Sequence, residues 1–446
     1  MPVNEANPSP SEVGGNVTAG LTRRSVFRGA VGAVGLAMLP SLAACNKEKT
    51  SGAKQGERTV AIGSYYSDPS TKGAFASLTQ AVTKATGVKT VANTTTQATF
   101  NSNINNYLQG TPDDLATWFA GFRMQYLAAQ GLLAPVDDVW EKIGANYTQA
   151  GRDLSKGLDG RQYIVPIYNY PWVVYYSKSL FASKGYSVPT KWNDFIALAT
   201  RMKRDGLIPL AFGNQDVWPA AGTFDILDLR INGYEFHMKL MRHEVPYTDS
   251  RITRVFEKFA ELLPYMQSGA NGRIWQDAAK ALEHKQAGMM FQGSNQVVAN
   301  YSDKNRADLD FFVYPEINPE HGQYYMDAPA DGICLPKRSK DQEAAKKVLE
   351  YVGTGPGALA YLETDQWDVS LIKDLNVPTY NTLQKKSALA IGACKNVAQY
   401  LDRDTDPAMA TAFMALIQKF IADPSTSKIK SIQASAEAQA KIIFVS

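Results

Sequence analysis

From residue 59 onward the chain alternates two hydrophobic periods. Thr59-Val60-Ala61-Ile62-Gly63 is a short apolar run closed by glycine, the pattern of a buried strand. Phe75, Leu78, Val82 and Ala85 then recur at helical spacing, and Gly87 stands where a C-cap glycine ends a helix. Residues 88–91 predict a second strand. Phe100, Ile104 and Leu108 predict a second helix, closed by Gly110-Thr111-Pro112, and residues 114–119 a third strand. Strand, helix, strand, helix, strand predicts a parallel sheet covered by helices. The same reading continues downstream. Trp192, Phe195, Ile196, Ala199 and Met202 share one face of a helix that Thr190 can N-cap and Gly206 ends, and residues 208–212 follow as a strand. Ile252, Val255, Phe256, Phe259, Leu262 and Leu263 make an amphipathic helix and residues 278–284 another, before a strand at 311–315. Helices over 343–351, 407–421 and 428–442 finish the chain.

The amino-terminal stretch has a different character. Arg23-Arg24 precede residues 29–42, a run of Ala, Gly, Val, Leu and Met too short to span a bilayer as a stable helix. Paired arginines ahead of such a run read as a bacterial Tat or Sec export signal. Leu42-Ala43-Ala44-Cys45 resembles the lipobox of bacterial lipoproteins, which implies cleavage before Cys45 and acylation of its thiol. Residues 46–56 have no apolar side chain larger than alanine and read as a flexible tether.

Roughly 400 residues follow Cys45, more than one hydrophobic core usually serves, so two lobes are expected. Hydrophobic residues make up 45%, ordinary for a globular protein, and a net charge of +3 implies no nucleic-acid partner. No later run is long and apolar enough to cross a membrane. Cys334 and Cys394 are expected to be buried free thiols, and four histidines without HExxH or CxxC partners predict no metal or cofactor.

The order of short motifs is more specific than any one of them. Pro112-Asp113-Asp114-Leu115-Ala116-Thr117-Trp118-Phe119-Ala120-Gly121 is followed by Gln130-Gly131-Leu132-Leu133-Ala134-Pro135 and Asp137-Asp138-Val139-Trp140. Next come Gly160, Tyr163 and Pro166 ahead of Val174-Tyr175-Tyr176-Ser177-Lys178, then Gly185, Pro189, Thr190, Trp192 and Phe195, and Met289-Met290 before Gly293. This succession resembles the extracellular solute-binding proteins of bacterial carbohydrate ABC importers, the group that includes maltose-binding protein. Ser177 and Asn295 depart from the group's usual asparagine and aromatic residue at those places. The resemblance implies an α/β, two-lobed periplasmic-binding-protein fold. Each lobe would be a largely parallel sheet flanked by helices, and hinge segments would cross between them. The divisions expected are a signal peptide at 1–44, a lipidated tether at 45–56, lobe I at 57–166 and 326–366, and lobe II at 167–325 and 367–446. It also implies hinge closure on ligand, a monomer, and two permease subunits with an ATPase as partners.

Clefts between lobes are where small ligands sit, on loops at the carboxyl ends of strands. A sugar needs flat rings against its C–H faces and carboxylates or amides for its hydroxyls. The residues of those types in the expected loops are Tyr65, Tyr66 and Asp68; Asp113, Asp114 and Trp118; Tyr168, Tyr170 and Trp172; and Asn214, Asp216 and Trp218. Farther on they are Gln292 and Asn295, Asp327 and Asp331, and Gln366, Trp367 and Asp368. A mixture of amides, acids and rings favours a neutral sugar over a peptide or polyamine. A glycosidase is disfavoured because adjacent Asp113 and Asp114 point to opposite faces of a strand and cannot flank one bond. No catalytic residue is expected.

Overall fold

The computed structural model describes residues 58–444. The export-signal residues, Cys45 and the tether lie outside them, as does the side chain of Asn295. Among the described residues eleven strands are present: β1 (Thr59–Ser64), β2 (Lys89–Thr94), β3 (Leu115–Phe119), β4 (Ile164–Asn169), β5 (Trp172–Ser177), β6 (Ile208–Leu210), β7 (Ala287–Gly293), β8 (Leu309–Phe312), β9 (Tyr325–Asp327), β10 (Ala330–Cys334) and β11 (Asn396–Ala398).

They form two main sheets. The first has the order β2-β1-β3-β10-β4 and the second β6-β7-β5-β8, with β11-β9 a separate parallel pair. β1 pairs in parallel with β2 and β3, as the alternating pattern predicts. The sheets are nevertheless mixed rather than largely parallel, because β10 runs antiparallel to β3 and β4, and β5 antiparallel to β7 and β8. The strands that break the parallel pattern adjoin the places where the chain changes sheet. There no crossover helix is available to bring the next strand round in the same direction.

Helices cover both sheets. The helix Pro69–Thr86 buries Phe75, Leu78 and Val82 and ends at Gly87 in the left-handed region, φ 70°. The helix Gly355–Leu362 packs beside it, so a late segment returns to the first sheet. The helices Pro407–Ala422 and Thr426–Ile443 pack on each other and against Ser250–Leu262 on the other lobe.

Several boundaries differ from expectation. β2 lies at Lys89–Thr94 instead of 88–91 and is mostly exposed, so backbone pairing with β1 places it rather than side-chain burial. The helix expected from 278 begins at Trp275, β6 stops at Leu210 and β8 spans Leu309–Phe312. Thr190 does not cap the next helix; Lys191 precedes it, and Trp192 N donates to Glu316 O (2.8 Å) instead. Met326 and Asp327, expected in the first lobe, pair with β11. Cys334 is buried but Cys394 only half-buried.

Candidate functional site

Strand register decides which side chains meet. In the first sheet Asp331 lies opposite Phe119 and, on its other side, Tyr168, while Ala330 lies opposite Asn169. The ends of β3 and β4 therefore share one edge with the start of β10. β1 runs parallel to β3, so Tyr65 and Tyr66 leave the sheet at that edge too. A bulge at Asp331 and Gly332 turns the strand there, and a Cβ on Gly332 would sit 2.3 Å from Val165 O. In the second sheet Trp172 opens β5 opposite Gly293, the last residue of β7. Only two residues separate the end of β4 from the start of β5, so the two edges adjoin.

Aromatic rings line the junction. Tyr65 and Tyr66 pack edge to face at 4.8 Å, Tyr66 lies 5.9 Å from Tyr168, and Tyr168 stacks on Tyr361 at 5.2 Å. On the other side Trp172 stands 4.9 Å from Tyr400 and 6.0 Å from Trp218. Gly222 permits that approach, since a Cβ there would meet the Trp172 ring at 2.5 Å and the Tyr400 ring at 2.8 Å.

The charged groups are buried among these rings. Asp331 accepts from Arg403 Nη1 (2.6 Å) and from Tyr168 Oη (2.9 Å), and Arg403 Nη2 reaches Tyr170 Oη at 3.3 Å. The guanidinium also lies 4.1 Å from the Phe119 ring centroid. Asp368 is fully buried beside the crossing segment, whose Asn169 exchanges backbone hydrogen bonds with Val369. Burial, then the charges of Asp365 and Asp331, push its carboxyl well above the usual range. Burial also raises Asp365 to about 6. Burial side by side thus disfavours charge on this pair. Asp365 meanwhile accepts the Trp367 and Asp368 amides at 2.9 and 2.7 Å and fixes the turn.

Several buried polar atoms here have no hydrogen-bond partner among the described residues: the hydroxyls of Tyr65 and Tyr66, the indole nitrogens of Trp118 and Trp172, and both carboxyl oxygens of Asp368. Native proteins satisfy nearly all such groups, so these orphans single this region out as the candidate site. Burial holds the Tyr65, Tyr66 and Tyr168 hydroxyls in the neutral, donating form.

Ten of the expected residues therefore belong to this region or adjoin it: Tyr65, Tyr66, Trp118, Tyr168, Tyr170, Trp172, Trp218, Gln292, Asp331 and Asp368. Others are placed elsewhere. Asp113 and Asp114 enter at the opposite end of β3, where Asp113 accepts from Asn93 (2.7 Å) and Tyr107 (2.9 Å) and Asp114 from Ala61 N (3.0 Å) and Lys340 N (3.2 Å). Their carboxylates tie loops and strands together. Asn214 accepts from Ala220 N and donates to Asn271, holding the start of the helix Trp218–Ile231. Asp68 and Asp216 are exposed, and Gln366 is an exposed partner of Arg306 at 3.0 Å. The Trp367 ring packs into a separate cluster with Val173 and Leu282.

Asp327 sits in a second buried polar group with Asp225, Asp228 and His237. Burial alone would lower the His237 imidazolium. The 2.9 Å contact with Asp228 and the charges of Asp225, Asp228 and Asp327 outweigh that and push it up to about 9. Among the described residues no group of three or more His, Cys, Asp or Glu is arranged to hold a metal ion. Arg403, Phe119, Tyr361 and Tyr400 were not anticipated.

Comparison with known proteins narrows what this site is for. Residues 68–358 match the family model described as bacterial extracellular solute-binding protein. The chain is 26% identical over 328 residues, 72% of each chain, to an uncharacterized ABC transporter extracellular-binding protein of Pyrococcus horikoshii. It is likewise 26% identical over 311 residues, 64% of this chain and 66% of the other, to the alpha-glucosides-binding periplasmic protein AglE of Rhizobium meliloti. Among solved structures, the bacterial solute receptor AcbH, described as having an exclusive substrate preference for β-D-galactopyranose, is 62% identical. That match has a TM-score of 0.86 and covers 87% of this chain and 100% of AcbH.

Proposed function

The chain belongs to the bacterial extracellular solute-binding protein family, and from that premise we propose that it captures a neutral monosaccharide, D-galactopyranose, where its two sheets adjoin. The observation that carries this reading is the set of orphaned buried donors and acceptors on Tyr65, Tyr66, Trp118, Trp172 and Asp368, framed by stacked rings. Hydroxyls of a pyranose satisfy such atoms, and its C–H faces suit the rings. Charge supports neutrality: Asp331 is already paired with Arg403, and burial disfavours the charged form of Asp368, so little uncompensated charge faces a ligand. The strong likeness to AcbH favours galactose within that class. A polyamine would need free carboxylates, and here Asp331 is paired with Arg403 and burial disfavours charge on Asp368.

The protein works outside the cytoplasm, where it receives solute for an ABC importer, and it acts as a receptor rather than an enzyme. The first division falls between β4 and β5, three residues after the expected 166, because β4 (Ile164–Asn169) belongs wholly to the first sheet, and β9 goes with the second lobe; the later division is kept at 366. Closure on the sugar presents it to two permease subunits and an ATPase. Export through the Arg23-Arg24 signal and acylation of Cys45 tether a monomer to the outer face of the cell membrane. Differential scanning fluorimetry against D-galactose, D-glucose, maltose, peptides and polyamines tests the ligand class. A ligand at 100 times its Kd adds about 2.7 kcal/mol of apparent stability. Galactose should raise Tm and peptides should not; stabilisation by peptides or polyamines alone would overturn the sugar reading.

A further inference from the structure

The short helix Leu401–Asp404 belongs by packing to the second lobe. It lies on the helices Trp218–Ile231 and Pro407–Ala422, and Leu401 N donates to Asp225 Oδ2 at 2.7 Å. Two of its side chains nevertheless reach the first lobe. Arg403 engages Asp331 of β10, the Phe119 ring and the Tyr170 hydroxyl. Asp402 Oδ2 stands 3.5 Å from Nη1 of Arg123, on the helix Phe122–Ala129 that follows β3. The charges thus alternate in sign across the seam, with Arg123 and Asp331 of the first lobe flanking Asp402 and Arg403 of the second.

The inner pair is nearly dry, with side-chain exposures of 9% for Arg403 and 4% for Asp331. Burying two charges costs about as much as their attraction returns, so such a pair is poor at raising stability and good at fixing geometry. A guanidinium is a planar fork that cannot shed its charge, and two of its nitrogens set a carboxylate and a hydroxyl at fixed positions. Were the lobes to part along this seam, both charges would regain water and the tie would break.

We propose that Arg403 is the positioning residue of this receptor. It completes the site by orienting Asp331 and Tyr170, and with Asp402 and Arg123 it forms the latch that sets how long a bound ligand stays. The inference rests on the sugar reading, and goes beyond it in giving ligand dwell time to groups that need not touch ligand.

Stopped-flow and calorimetric titration with D-galactose test it on the wild type, Arg123→Gln, Arg403→Gln and Arg403→Lys, with circular dichroism to check folding. Arg123→Gln, at the outer tie whose side chains are only 17% and 23% exposed, should raise koff about two- to fivefold and leave kon unchanged. Arg403→Lys keeps the charge but not the fork, and should weaken binding by about tenfold or more. These two variants keep the test decisive if Arg403→Gln fails to fold. Wild-type koff in both Arg123→Gln and Arg403→Lys would overturn the latch. A wild type that binds none of the sugars sinks the ligand reading instead. Small-angle scattering of ligand-free protein then decides the latch: a larger radius of gyration for the Arg123→Gln, Arg403→Lys double variant supports it, and equal radii overturn it.

Discussion

Replacing Tyr66 by Phe removes one oxygen and leaves the ring. The ring packs at 5.1 Å on Phe75 and 4.8 Å on Tyr65, contacts that Phe preserves. The residue is 2% exposed, and its hydroxyl has no partner among the described residues. In ligand-free protein that hydroxyl is a cost: burying an unpaired polar group is unfavourable by about 1–3 kcal/mol. Removing it should stabilise the ligand-free fold by about 1 kcal/mol, roughly 2 °C in Tm for a chain of this size. If the hydroxyl serves ligand, one hydrogen bond of about 0.5–1.5 kcal/mol is lost on binding, and Kd rises about two- to tenfold. The two effects have opposite signs, which separates a ligand contact from a structural one. Scanning calorimetry without ligand and isothermal titration with D-galactose read them independently. A variant that loses stability and keeps wild-type affinity would refute the reasoning, because the hydroxyl would then serve the fold.

Other perturbations have distinct signatures. Gly222→Ala drives a methyl into Trp172 and Tyr400, and should cost about 1–3 kcal/mol of stability and weaken sugar binding, measured by denaturant melts and titration. Asp114→Asn should lower stability while leaving Kd within twofold, since its carboxylate holds Ala61 and Lys340 amides away from the site. His237, raised from 6.5 to about 9 in the fold, contributes stability that is fully present below pH 6.5 and lost as pH rises through 9. Denaturant melts across pH 6 to 10 should show a loss of roughly 3 kcal/mol that His237→Gln reduces. Cys45→Ala should release the protein from membranes into the soluble fraction, read by fractionation and blotting.

The pattern of the chain carried the first lobe well. Helix faces such as Phe75, Leu78 and Val82, and a glycine stop at Gly87, are local signals that tertiary packing did not override. The helix Trp218–Ile231 was illegible because it is buried all round, with Asp225, Asp228 and Arg230 inside, so no polar stripe marks its period. More of the expected rings than of the expected acids fall where the two sheets adjoin. Tyr65, Tyr66 and Trp172 fall at sheet edges because they leave or enter strands there. Asp113 and Asp114 misled because they precede β3, and a strand's beginning faces away from the edge where its end lies. Arg403 sits in a run of alternating charge, Asp402-Arg403-Asp404, that reads as a solvated face; only the register of Asp331 in β10 reveals what it reaches.

A crystal structure with D-galactose tests the central claim most directly. The pyranose should lie where the two sheet edges meet, with the Trp172 ring against its C–H face and its hydroxyls within hydrogen-bond distance of Tyr65, Tyr66 and Asp368. Sugar bound at any other surface, with those hydroxyls and that carboxyl still unpartnered, would contradict the account.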